Sequence, residues 1–373
     1  MNKRNIEKRK EKALKMLKKL ESEGYQAYIV GGFVRDLKLK RETLDIDITT
    51  NATPKKLREI FQEACLPKEE YGSITVYFEG IYFEITTFRK EIMYKDNRRP
   101  VEFKYIDNLE EDLLRRDFLM NTLCMDKTGK IIDKLGAVKD IEKKVIHTVG
   151  NANEKLKEDA LRILRAIRFA TVLNFKLSDE VRNAILEHKH LIKNLSYERK
   201  KQELEKIFTS PNAKYGINLI KELGLIEYLE LKNLEYLTYY GDLCGIWTLL
   251  DTKNYPFTKN EKELMRKIES ALLEEDLKNP LTLYKYDLYP LMVASDIRKL
   301  SKKEITKRHN HLPIHNRSDL EITTEEILKL LEIEQGPILK QIYEDLERQV
   351  LMKRLKNKNL DLKKYVVKHY KKC

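Results

Sequence analysis

Cysteine is sparse: Cys65, Cys124, Cys244 and Cys373 are scattered, with no CxxC pair. That spacing excludes a disulfide framework and the paired-cysteine type of structural zinc site, and it fits a reducing compartment. The chain has no apolar run of membrane-spanning length, and its first residues are charged, without the apolar stretch of a signal peptide. The expectation is a soluble, cytoplasmic protein with no membrane partner. Glycine and proline are also scarce, at 13 and 9 of 373 residues, while Lys, Glu, Leu and Ile recur at helical periods. A mainly helical protein follows.

What is abundant is positive charge. Lys and Arg exceed Asp and Glu by 13. Much of it is interleaved on solvated helix faces, but the balance favours a polyanionic partner. The stretch 353–372 sharpens this, with nine Lys/Arg against one acid, Asp361. The length predicts two to four domains.

Residues 4–23 read as a charged helix with apolar points at Ala13, Leu14, Leu17 and Leu20. Tyr25–Val30 reads as a strand ending at Gly31-Gly32, and Leu44–Thr49 as a second strand. Thr53-Pro54 caps a helix running to about Ala64. Segments 74–78 and 82–87 flank Glu79-Gly80 as a hairpin. Arg89 to Lys104 is polar and rich in both charges, so a mobile loop is expected. Beyond about Gly150 the periods are helical, broken near Pro211, Pro256, Pro280 and Pro313. No internal repeat is found. The fold class is α+β: a small N-terminal sheet domain, then a long all-helical body and tail.

Asp45 and Asp47 lie two apart, so a strand turns both to one face, about 7 Å apart at Cα. Two such carboxylates repel unless a cation lies between them. Mg²⁺ suits them, as a hard ion that leaves room for phosphate oxygens. Alone, DxD also describes a solvated edge strand. The context points further: Gly31-Gly32 lets backbone N–H groups approach a phosphate, Arg35 can bind its oxygens, and Glu84 can bring a third carboxylate or orient the first two.

The stretches "GGFVRD" and "LDIDITT" resemble the first motif of polymerase β-like nucleotidyltransferases. More narrowly they resemble class II tRNA nucleotidyltransferases (CCA-adding enzymes) and the related bacterial poly(A) polymerases. The resemblance implies that Asp45 and Asp47 are catalytic and hold metal, with Gly32 and Arg35 at the nucleotide. "EEDLLRRDFLMNTLCMD" (110–126) reads as a helix opening at Arg115-Arg116-Asp117. By resemblance to "RRDFxxNA", Arg116, Asp117 and Asn121 contact ribose and triphosphate. Leu119 and Thr122 depart from the usual Thr and Ala.

"EKLKEDALRILRAIRFA" (154–170) carries Asp159, Arg162, Arg165 and Arg168 at every third position of one expected helix, which also describes an ion-paired stripe. Its likeness to "EDxLRxLRAxRF" implies that Asp159 and Arg162 read the incoming base. The chemistry is intelligible. A carboxylate only accepts, matching the exocyclic amine of C or A; a guanidinium only donates, matching the ring nitrogen beside it. G and U present the reverse pattern and leave buried groups unpaired. Arg165 and Arg168 extend toward the triphosphate. "SYERKKQELEKIF" (196–208) resembles a buttressing motif, with Glu198 and Arg199 in structural roles. The segment 89–104 is similar to the family's flexible loop, with Asp96, Arg98 and Arg99 as working residues. No His-Asp pair marks the phosphohydrolase domain of some relatives.

The resemblance implies template-independent addition of CCA to tRNA from CTP and ATP, with Mg²⁺ and without a protein partner. It divides the chain into a catalytic head (1–148), a base-reading neck (149–208), a body (209–312) and a basic, tRNA-binding tail (313–373). The rivals are an A-adding or poly(A) enzyme, a small-molecule nucleotidyltransferase and a non-catalytic RNA-binding protein.

Overall fold

A computed structural model describes residues 3–62, 65–66, 72–95 and 99–371. They fall into two compact units, Met1–Glu235 and Tyr236–Cys373. No described helix is long and apolar enough to cross a membrane.

The first unit begins with α1 (Lys3–Ser22), β1 (Ala27–Val30), α2 (Gly32–Lys38), β2 (Asp47–Thr50), α3 (Pro54–Phe61), β3 (Cys65–Leu66), β4 (Ser73–Phe78) and β5 (Ile81–Thr87). Then come β6 (Arg89–Lys95), β7 (Arg99–Tyr105), α4 (Leu109–Leu114), β8 (Cys124–Met125) and β9 (Ile131–Ile132). One mixed sheet runs in the order β3-β4-β5-β2-β1-β8-β9. Ile46, Ile48, Ile74, Val76, Phe83 and Ile85 are buried at alternate positions, so one face is the core face. Helix α1 brings Ala13, Met16, Leu17 and Leu20 to this core, at helical spacing. Helix α3 adds Leu57 and Phe61, the latter edge-on to Phe78. On the opposite face α4 covers only one end, where Leu109 and Leu113 pack with Val30 and Phe88.

The β4–β5 hairpin turns on Glu79 (φ 47°) and Gly80 (φ 85°), with Phe78 paired to Ile81. Two successive positive φ values match the twist of the strands. Glu79 tolerates this with help from Lys15, whose Nζ lies 3.1 Å from its carboxylate.

Three expectations need correction. Segment 89–104 is not an irregular loop over its described residues: β6 and β7 form an antiparallel ribbon with register shifts at Glu91, Met93 and Tyr94. Asp96 and Arg98 lie outside the described residues, as does Ala64, the expected end of α3. Second, Arg115-Arg116-Asp117 does not open a helix. Arg115 closes α4, and residues 119–121 make a single 3₁₀ turn before β8. The Asp117 carboxylate accepts the Phe118 N–H at 2.8 Å, and Leu119 N–H goes to His147 C=O at 3.0 Å. These bonds compete with helix.

Third, the 154–170 stretch is not one helix. After α5 (Ala137–Lys143) and β10 (Val145–Ile146), the chain forms α6 (Ala152–Glu158) and α7 (Leu161–Leu173), broken at Asp159-Ala160. Asp159 Oδ1 takes the Leu161 N–H at 3.0 Å and so starts the new helix. The unit continues with β11 (Lys176–Leu177), paired to β10, then α8 (Asp179–His188), α9 (Tyr197–Phe208), α10 (Ala213–Glu222) and α11 (Ile226–Leu229). Helix α7 is buried almost all round.

The second unit is helical throughout its described residues: α12 (Leu243–Leu250), α13 (Lys259–Leu272), α14 (Pro280–Lys285), α15 (Leu288–Ile297), α16 (Lys302–Asn310), α17 (Thr324–Leu331), α18 (Pro337–Leu351) and α19 (Asn359–Tyr370). The expected breaks hold: Pro280 sits at the first turn of α14 behind the cap Asn279, and Pro211, Pro256 and Pro313 lie between helices. One apolar cluster joins Ala271, Leu283, Leu291 and Ile305. Another joins Ile327, Ile342, Leu346, Leu362 and Val366, so the basic terminal stretch docks by an apolar stripe.

Helix α10 approaches α7 and α9 closely at Gly216. A Cβ there would lie 2.2 Å from Thr171 Oγ1 and 2.7 Å from Ile207 Cγ2. Gly216→Ala is therefore expected to destabilise the first unit by about 1–3 kcal/mol through overpacking. Urea unfolding checks this; an unchanged midpoint contradicts the packing described.

Candidate active site

Exposure alternates from Asp45 to Ile48: both aspartates face solvent, and Ile46 and Ile48 are buried. Strand β2 begins at Asp47, so Asp45 lies just before it. Asp47 is flanked in register by Val30 of β1 and Glu84 of β5. Three carboxylates thus share the open face. Surrounding protein raises the Asp47 carboxyl above its ordinary value; Glu84 and Asp45 push the same way, and Arg116 opposes them. Like charges gathered at one point are the condition that a cation relieves. The oxygen-only donor set fits a hard divalent ion. Among the described residues no three His, Cys, Asp or Glu close a metal site by themselves.

The glycine turn follows Val30 and so lies beside Asp47. Gly31 has φ 79°, open to glycine at little cost. A side chain on it would meet Arg116 Nη1 at 3.7 Å, and one on Gly32 would meet Arg35 Nη2 at 3.6 Å. Arg116 Nε is buried without a hydrogen-bond partner, and its Nη2 is 3.4 Å from Asp112. A buried donor left over beside a glycine turn suits an arriving anion.

Buried carboxylates hold the surrounding arginines. Asp112, fully buried, accepts from Arg115 Nε at 2.8 Å, from Thr49 Oγ1 at 3.3 Å and from the Arg89 N–H at 3.2 Å. Burial alone would raise its carboxyl, but Arg115 and Arg116 overcome this and the net shift is downward. It joins β2, the root of the ribbon and the arginine pair. Asp117 takes Arg165 Nε at 2.8 Å and Asn121 Nδ2 at 3.1 Å. Its burial is outweighed mainly by Arg165, which holds the carboxyl down at about 2. Asn121 Oδ1 accepts from Arg35 Nη1 at 2.6 Å. The chain Arg35–Asn121–Asp117–Arg165 thereby ties α2 to α7. Phe169 of α7 completes the joint, with Arg168, Arg35 and Arg165 guanidinium carbons 4.0, 5.3 and 5.5 Å from its ring centre.

Not every expected residue faces this centre. Arg168 Nε is held by Glu203 of α9 at 2.6 Å. Arg162 is buried and anchored through Nη1 to Lys155 C=O at 2.8 Å and Glu158 at 2.7 Å. Asp159 sits at the break before it, its carboxyl raised by burial against Leu161 N–H, Arg162, Arg199 and Arg165. Arg99 lies on β7. In α9 Glu198 accepts from Gln202 at 3.1 Å, while the buried charged members are Lys200 and Glu203. Sequence reasoning missed Asp112, Glu203 and Phe169. Only their i, i+3 or i, i+4 spacing within a helix hinted at them, and that spacing is common.

Three family models match the chain. Residues 27–147 match one described as Poly A polymerase head domain. Residues 174–235 match one described as a probable RNA and SrmB-binding site of polymerase A, and residues 253–366 a tRNA nucleotidyltransferase domain 2 model. The CCA-adding enzyme of Streptococcus uberis is 33% identical, over 96% of each chain. That of Anoxybacillus flavithermus is 35% identical, over 95% of this chain and 96% of the relative. A crystal structure of the Bacillus stearothermophilus CCA-adding enzyme in complex with CTP superposes with a TM-score of 0.84 at 27% identity, over 96% of both chains. The Thermotoga maritima CCA-adding enzyme complexed with tRNA shares the fold, with a TM-score of 0.67 at 20% identity over 95% of this chain and 94% of that one. Near-complete coverage at this identity, on a head domain with paired carboxylates beside a glycine turn, places the chain in the CCA-adding enzyme family of nucleotidyltransferases.

Proposed function

We propose that the protein adds CCA to the 3′ end of tRNA, taking CTP and ATP in turn without a nucleic-acid template and releasing pyrophosphate. The observation that carries this is the register of Asp47 with Glu84, beside the Gly31 turn against which Arg116 lies. Enzymes of this family use a divalent metal; here Mg²⁺ is the proposed ion, held by Asp45 and Asp47. When bound, it supplies positive charge to the triphosphate and to the attacking oxygen.

The chain's own residues do the rest. The Gly32 backbone, Arg35 and Arg116 receive phosphate oxygens. Asp117 and Asn121 hold the ribose side of the site while fixing Arg35 and Arg165. Asp159 accepts the exocyclic amine of C or A, and Arg162 donates to the ring nitrogen. The RNA 3′ oxygen bonds to the α-phosphorus as the bond to the bridging oxygen breaks. Pyrophosphate leaves with that electron pair, and the hydroxyl proton passes to a carboxylate of this face or to water. Arg165 and Arg168 steady the neck helix, and Asp96, Arg98 and Arg99 are the proposed working residues of the segment 89–104. Head 1–148, neck 149–208, body 209–312 and tail 313–373 are the proposed functional divisions, in a cytoplasmic enzyme.

The test uses the full chain, Mg²⁺, a tRNA ending at its discriminator base, and CTP and ATP separately and together. Exactly three nucleotides added with both, and none beyond, is the expected product; long A tracts would contradict the reading. Asp45→Ala and Asp47→Ala should each cost at least about 10²-fold in rate, the scale of a lost charge-stabilising group. Asp159→Ala and Arg162→Ala should relax the choice of base more than they slow incorporation, read from misincorporation of UTP and GTP. A pH profile tests the electrostatics. Because Asp47 is raised, incorporation at subsaturating divalent ion falls as pH drops through that raised value. Glu84→Gln removes a like charge, so the acid limb should move to lower pH; an unmoved limb would contradict the coupling.

A further inference from the structure

We propose that Tyr82 and Tyr77 form a stacking platform for a base at the 3′ end of the RNA substrate. This rests on the reading of an RNA acceptor above. Tyr82 precedes Glu84 by two residues on β5, so it shares the face of Glu84 and Asp47, about 7 Å further along. Tyr77 of β4 pairs with Tyr82 in register and joins that face. The ring centres are 4.9 Å apart. Their strand neighbours Val76 and Phe83 are buried, yet Tyr77 and Tyr82 remain 48% and 62% exposed. Among the described residues neither hydroxyl has a hydrogen-bond partner. Two large rings, tilted 47° to one another, are thus held together on the catalytic face and remain exposed among the described residues.

Position selects the occupant. The sheet order is β4-β5-β2-β1 across this region. Gly31 lies on the β1 side of Asp47 with Arg116 and Asn121 against it, and the tyrosines lie on the β5–β4 side. In-line displacement puts the attacking oxygen and the leaving pyrophosphate on opposite sides of the α-phosphorus. The nucleotide takes the β1 side, so the polynucleotide end comes from the side of the tyrosines. Aromatic rings accept any base without reading it, which suits an acceptor whose last base changes with each addition. The charge agrees. Lys12 Nζ and Tyr77 Oη come within 3.9 and 4.0 Å of the place a side chain on Gly80 would occupy, and Lys15 is at Glu79 of the same turn. Lys12, which also donates to the Glu79 carbonyl, thus brings one positive charge to the turn beside Tyr77, within reach of a passing phosphate.

The experiment measures KM for the tRNA and for CTP on the full chain, with 2-aminopurine placed at the RNA 3′ end to report stacking. Tyr82→Ala, alone and with Tyr77→Ala, should raise the tRNA KM or lower kcat/KM for tRNA by about 5- to 150-fold, the range of one lost base stack. KM for CTP should stay within about twofold, and the 2-aminopurine quench should vanish. Tyr82→Phe and Tyr82→Trp should restore both, which a role for the hydroxyl would not allow. If the double variant, folded by its melting curve, keeps the tRNA KM and the quench, the platform is wrong and the pair merely packs the sheet edge. A rise in KM for CTP alone would also overturn it, by moving the platform to the nucleotide. Wild-type protein that neither binds nor extends the RNA would sink the functional reading itself, and this subsite with it.

Discussion

The site depends on the mutual repulsion of carboxylates on the open face of the neighbouring strands β2 and β5. Asp47 has Glu84 beside it in parallel register and Asp45 two residues back. Folding alone would not gather these charges on an open face. The sheet pairing fixes their positions, and the apolar residues between them bind β2 to the core face, so the charges cannot drift apart. What remains is a negative focus opposed chiefly by Arg116. Such a focus is ready for divalent charge and for the triphosphate that accompanies it.

Two buried acids build the positive half of the site. Asp112 and Asp117 each accept several donors, and both titrate below the ordinary aspartate range because arginines outweigh their burial. Breaking one such pair would leave an uncompensated buried charge. Each acid also reaches beyond its own element: Asp112 to β2 and the ribbon root, Asp117 through Arg165 to α7. The arginines beside the glycine turn, the ribbon root and α7 are thereby positioned by two sets of bonds, one on each acid. Preorganised charge of this kind needs no rearrangement when the substrate arrives.

Much of this was legible in the sequence, and the limits have physical causes. Asp45 and Asp47 were readable because period two survives in "LDIDITT", and the hairpin because Glu79-Gly80 sits between alternating runs. The prolines located the helix breaks because they cannot continue a helix. The break at Asp159 was invisible: its sequence has unbroken helical periodicity, and one side-chain bond to Leu161 decides it. "RRDFLMN" looks helical for the same reason, and Asp117 again diverts the backbone. The ribbon was hidden by charge and by its register shifts, which scramble the alternation of a strand. Asp112 looks like any acid one turn before an arginine; only its burial distinguishes it.

The most direct test is divalent-ion binding itself, read apart from turnover. Mn²⁺ is titrated against the full chain in the presence of CTP, and bound ion is followed by electron paramagnetic resonance for wild type, Asp45→Asn and Asp47→Asn. The account predicts protein-dependent Mn²⁺ binding in the wild type that weakens at least about tenfold in either variant, as expected when one of few ligands is lost. Unchanged binding in both variants would show that the ion, if any, is held elsewhere.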